Sequence, residues 1–278
     1  MRQNRSLAES TCPPVLALHA AASSGVQWEG LADYLGGRYS VFAPDLPGYG
    51  DASSREAADI ADTAEQLVSA IAANGGSAHI VGHSLGAAIA LEIAIARPDL
   101  VCSLTLIEPM AFQLLCDEDR SDMELYQELS RLADSMVAAI ANRNHVAAMQ
   151  GYVDYWYGAG AWNRTSAQLR AELARDAGRA ARDLGRSLVN TQLARRCREL
   201  SCPALLMMAL HSPLASLRVT ELVARAIPAA RLLMIPDAGH MAPLTDPHVI
   251  NPLICMHLNS ANRVDAGGRS EKWATIVY

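Results

Sequence analysis

Short apolar runs recur along this 278-residue chain, and stretches with helical spacing separate them. The runs are residues 15–19, 39–44, 78–81, 102–107, 204–210 and 231–235. Each is mainly apolar and bounded by turn residues, the pattern of strands buried on both faces. Between them, residues 27–35, 57–74, 85–96 and 220–227 are rich in Ala and Leu at helical spacing. Strand–helix–strand alternation predicts an α/β fold with a mostly parallel central sheet and helices on both sides.

The alternation breaks once. Residues 117–200 contain no strand pattern but three helical ones, at 121–142, 145–157 and 166–188. Ser121 with Glu124 three residues on has the spacing of a capping box and predicts the first helix start. An insertion of this length is a subdomain rather than a loop. The predicted layout is an α/β core from residues 1–116 and 201–260, a helical cap at 117–200, and a flexible polar tail at 261–278.

Composition excludes several classes. Half the residues are hydrophobic (51%) and 19% are charged, so a large core is available and disorder is not expected. The net charge is -6 with no basic face, which argues against nucleic acid as a partner. No run reaches the roughly 18 apolar residues of a membrane span. The N-terminus lacks a signal-peptide pattern, so the expected location is cytoplasmic. Lys272 is the only Lys in an Ala- and Arg-rich chain, which fits a GC-rich bacterial coding sequence. Cys12, Cys102, Cys116, Cys197, Cys202 and Cys255 form no CxxC pair and no metal-ligand spacing, and are expected to be buried free thiols. No metal or organic cofactor is indicated, and oligomeric state is not readable.

The strongest chemical signal is AHIVGHSLG at 78–86, a G-x-S-x-G match with an apolar strand before it and AAIALEIAIA after it. A chain that turns this sharply from strand to helix strains the serine backbone. Glycines two residues either side leave room for the turn. Ser84 then stands at a helix N-terminus, where the dipole favours developing negative charge.

These residues resemble the α/β-hydrolase superfamily of serine hydrolases with a helical cap. The resemblance covers about residues 13–117 and 200–258. LALHAAASSG (16–25) is similar to the family's first strand and oxyanion loop, APDLPGYGDAS (43–53) to its D-x-x-G-x-G-x-S turn, and IPDAGHMAP (235–243) to the segment with the catalytic histidine. The resemblance implies Ser84 as nucleophile and His240 as general base. It implies Leu85 N–H and Ala21 N–H as the oxyanion hole, although this chain has His19-Ala20 where the family has His-Gly. His19 is expected to buttress that loop. His83 reads as a structural neighbour of the nucleophile at the edge of the substrate site.

The triad acid is missing from its usual place. The family places an Asp where this chain has Ser212, and no carboxylate lies between residues 200 and 220. Three readings stay open: Glu108 at the end of strand 102–107 is the acid, Asp237 is the acid, or the site is a dyad or inactive. The aromatic stretch at 151–163 (GYVDYWYGAGAWN) supplies Tyr152, Tyr155, Trp156, Tyr157 and Trp162, which either line a pocket or glue the cap down. The candidate substrate-binding residues are His83, Phe112, Tyr155, Trp156, Trp162 and Met241, and they favour a small apolar substrate. The expected function is cleavage of a small apolar ester or related acyl compound through a Ser84 covalent intermediate. A ligand-binding protein with a weakened site, or an acyltransferase or cyclase on the same fold, are the alternatives.

Overall fold

A computed structural model describes residues 12–55, 57–73, 76–116, 119–189 and 192–265. Six strands form one sheet: β1 (Val15–Leu18), β2 (Val41–Phe42), β3 (Ala78–His83), β4 (Val101–Ile107), β5 (Ala204–Ala209) and β6 (Ala230–Ile235). Their order is β2-β1-β3-β4-β5-β6, and every neighbouring pair is parallel. Both faces are apolar, as continuous hydrophobic runs require. In β1, Val15 and Ala17 pack in one layer with Trp28, Leu31 and Ile254. Leu16 and Leu18 pack in the other with Ile80 and Leu91.

On one face lie α1 (Glu29–Leu35) and α11 (Pro247–Asp265). On the other lie α2 (Ile60–Ala73), α3 (Leu85–Ala96) and α9 (Leu214–Ala226). β2 is shorter than the run 39–44 because it is an edge strand bordered by Pro44, which has no N–H for a ladder. α9 starts six residues before the expected helix. α11 carries the chain to Asp265, so residues 261–265 are helical rather than flexible, and 266–278 lie outside the described residues.

Chain order makes a topological switch. From β1 the chain steps outward to β2, then returns to lay β3 on the other side of β1. The loops leaving β1 and β3 therefore diverge, and a crevice opens above their C-terminal ends.

Between β4 and β5 come α4 (Arg120–Ala141), α5 (His145–Tyr157), α6 (Ala161–Arg164), α7 (Ala167–Ser187) and α8 (Leu193–Cys197). α4 begins one residue before Ser121, because Asp119 is the cap, accepting the Asp122 N–H at 3.0 Å. The helical segment shares an apolar cluster with the core, including Phe112, Met149 and Trp156. Polar ties pin it as well. Tyr49 Oη donates to Asp183 at 2.7 Å, Arg218 holds Asp122 at 2.8 Å, and Arg196 holds Glu92 at 2.6 Å. The six cysteines are free thiols; Cys197 and Cys255 are buried, whereas Cys12, Cys102, Cys116 and Cys202 are only half-buried. Among the described residues no helix is long and apolar enough to cross a membrane.

Candidate active site

Ser84 sits between β3 and α3 with φ 53° and ψ -111°. A non-glycine residue at positive φ costs free energy that the surroundings must offset. Four backbone bonds hold it there: Ser84 N–H donates to Ile107 C=O (2.9 Å), and Ser84 C=O accepts from Ala87 and Ala88 (both 3.1 Å) and Met110 (3.0 Å). The flanking glycines are sterically required. A Cβ on Gly82 would come within 2.5 Å of the Gly86 carbonyl oxygen, and one on Gly86 would overlap the Leu18 carbonyl.

His240 follows β6 and is 4% exposed. Its Nδ1 lies 2.5 Å from Glu108 Oε2. Glu108 ends β4 and is itself at positive φ, 45°. Its carboxylate is fully buried but well supplied with donors: Oε1 accepts Ala209 N–H at 2.7 Å, and Oε2 accepts Ser216 Oγ–H at 3.1 Å. A buried carboxylate needs donors of this kind to offset its lost hydration. Because the carboxylate only accepts, the His240 proton sits on Nδ1, leaving Nε2 free to take a proton. Asp237 is exposed on the turn, and Ser212 is buried with its hydroxyl unpartnered among the described residues.

The loop expected to supply an oxyanion donor follows β1. Ala20 N–H is taken by Gln27 Oε1 (3.2 Å). Ala21 N–H and Leu85 N–H, both in buried residues, make no hydrogen bond among the described residues. Buried N–H groups are rarely left unpaired, so two beside Ser84 mark where an anion can be held. His19 donates from Nδ1 to Ala20 C=O (2.7 Å) and accepts Leu46 N–H on Nε2 (2.9 Å). Burial pushes its pKa down to about 4, so it is a neutral strut.

Ser84, His240, Ala21 and Met241 line one cavity, with Met149, Tyr152, Val153, Trp156, Tyr157 and Leu173 from the helical segment. The cavity is about 10 Å³, on the order of one water. Trp156 forms part of its wall, stacked on His240 with ring centroids 4.5 Å apart. A wider groove of about 860 Å³ adjoins it and shares Ala22, Val153, Tyr157 and Leu173.

Of the expected substrate-binding residues, Trp156 and Met241 line the cavity. Phe112 and Tyr155 do not; they back Trp156 at 5.7 and 4.9 Å between ring centroids. Trp162 is buried where its N–H backbone meets Asp154 (2.7 Å). His83 is fully buried with both ring nitrogens engaged, so it does not face the cavity. Met149, Val153 and Leu173 were missed. Met149 and Val153 lie at i, i+4 on α5, a spacing that signals a buried face without saying what it covers, and Leu173 joins them from α7.

Fold and site together define a class: an open parallel sheet with a serine on a strained strand-to-helix turn and a histidine–carboxylate pair beside it. The chain belongs to the alpha/beta hydrolase fold family, whose model matches residues 13–247. Lipase LipV of Mycobacterium tuberculosis is 38% identical over 100 residues, 34% of this chain and 36% of that protein. A Klebsiella pneumoniae protein, provisionally named carbamate hydrolase RutD, is 26% identical over 271 residues, 92% of this chain and 95% of that one. With four curated relatives of higher identity, the chain spans only 27–37% of their length. A hydrolase from Oleispira antarctica has the same fold, with TM-score 0.70 and 21% identity over 89% of this chain and 91% of that one.

Proposed function

We propose that this chain is a serine hydrolase of small apolar esters or related acyl compounds. The observation that carries it is the buried Glu108–His240 contact of 2.5 Å beside a strained Ser84 that opens onto the same cavity. The names of the lipase and carbamate hydrolase relatives agree with acyl cleavage.

Ser84 Oγ attacks the substrate carbonyl carbon while its proton passes to His240 Nε2. Glu108 accepts the Nδ1–H and stabilises the imidazolium. The carbonyl π pair moves onto oxygen, and Ala21 N–H and Leu85 N–H hold that oxyanion. The tetrahedral intermediate collapses, the bond to the leaving group breaks, and His240 Nε2–H protonates it. Water then attacks the Ser84 ester, giving its proton to His240, and the acid product leaves as Ser84 regains its hydrogen. The cavity walls are mostly apolar, which favours a small apolar acyl group.

Intact-mass labelling with a fluorophosphonate tests this, followed by turnover of a short-chain p-nitrophenyl ester. One adduct, absent in Ser84→Ala, together with ester turnover is expected. A folded protein that labels nowhere overturns the proposal, and labelling without turnover redirects it to acyl transfer.

A further inference from the structure

Resting on the serine-hydrolase reading, we propose that Gln27 and His83 are positioning residues that lock the oxyanion loop to the loop of the general base. Four groups form one buried chain. Ala20 N–H donates to Gln27 Oε1 at 3.2 Å, Gln27 Nε2–H donates to His83 Nδ1 at 3.2 Å, and His83 Nε2–H donates to His240 C=O at 2.8 Å. Gln27 is 5% exposed and His83 fully buried.

Every direction in this chain is forced. A backbone N–H can only donate, so the Gln27 oxygen faces Ala20 and its amide nitrogen faces His83. A backbone carbonyl can only accept, so His83 carries its hydrogen on Nε2 and offers a lone pair on Nδ1. Neither the amide nor the imidazole can flip without leaving two buried groups unpaired. The chain occupies Ala20 N–H and leaves Ala21 as the loop's unpaired donor. At its other end it holds the backbone of His240, whose ring lies 4.9 Å from that of His83 between centroids. Burial and the neighbouring His240 keep His83 neutral, as the relay needs. The two halves of the site, one on the β1 loop and one after β6, are thus spaced by side chains that do not line the catalytic cavity.

The test combines turnover with nitrogen NMR on the full chain. In Gln27→Leu, kcat per fluorophosphonate-labelled serine should fall about 10- to 100-fold with KM within about threefold, as small misplacement of catalytic groups does. A merely structural role would lower the labelled fraction and leave kcat per labelled serine unchanged, which overturns the proposal. His83→Leu should match Gln27→Leu, and the double variant should be no slower than the slower single, since both cut one chain. Additive losses overturn it. His83→Gln, whose amide can accept from Gln27 and donate to His240, should recover most of the loss. Independently of turnover, ¹⁵N-histidine spectra should show His83 as the neutral Nε2–H tautomer, altered in Gln27→Leu. A silent Ser84 with that tautomer present defeats the hydrolase reading alone; an Nδ1–H tautomer defeats the relay.

Discussion

Helices α3 and α7 are both packed against the interior, yet they are nearly opposite in kind. α3 buries ten of its twelve residues, nine of them apolar or glycine and the tenth Glu92. α7 buries seven of its twenty-one, and these include Arg179 and Asp183. Arg179 donates to Asp183 at 2.9 Å, and Asp183 also accepts from Tyr49 across the boundary with the core. A helix apolar on all sides gains its free energy wherever it is covered, and cannot leave without exposing the core. A buried charged network has strict geometry but adds modest net stability, because desolvation offsets most of the attraction. The helix that positions Ser84 is thus held by burial on nearly every side, while α7, which adds Leu173 to the cavity wall, rests partly on directional contacts. The core should set kcat, and the helical segment should set access and KM.

Ser84→Ala should break turnover most, by at least about 10⁴-fold in kcat, with the thermal midpoint nearly unchanged. Comparable turnover would move the chemistry out of the core. Glu108→Gln comes next, with kcat down about 10²- to 10⁴-fold. Its amide oxygen can keep the Ala209 N–H, but its NH₂ would face His240 Nδ1. That forces the hydrogen to Nε2, and the ring can no longer take the serine proton. Circular dichroism should stay native, and near-normal kcat would reject Glu108 as the acid.

The core also predicts an acid limit. Burial lowers both His19 and His257 from 6.5 to about 4. The unfolded chain therefore takes up protons as pH falls through 6.5, and the folded chain does not until about 4. Stability is fully present above 6.5 and is lost between 6.5 and 4, by on the order of 3 kcal/mol per histidine. Urea midpoints across that window should fall steeply; a flat profile would mean these histidines are not held neutral. The smallest effect belongs to the boundary. Tyr49→Phe removes one hydrogen bond to a buried carboxylate, worth about 1.5–3 kcal/mol. Hydrogen exchange in α7 should quicken while α3 stays protected, with KM moving more than kcat. Equal loosening of both helices would erase the contrast between them.

Much of this was legible from spacing. The apolar runs, the insertion after β4 and the strand–Ser84–helix turn each depend on sterics or periodicity within a few neighbouring residues. Where the reading slipped, competition between neighbours decided. Asp119, not Ser121, captures the Asp122 N–H, and the edge position of β2 trims its pairing. The aromatic stretch at 151–163 was visible, but α5 turns Trp156 towards His240 and Tyr155 behind it, which no composition states.

By itself, then, the sequence determined the sheet, its order of elements and the glycine-flanked serine, because those follow from rules acting along the chain. Tertiary structure alone decided that Glu108 and His240, 132 positions apart, share a hydrogen bond, that His83 faces Gln27 rather than the cavity, and that Trp156 stacks on His240. Such contacts depend on which strands become neighbours and in what register, and a side chain's partner across the sheet leaves no mark on the residues beside it.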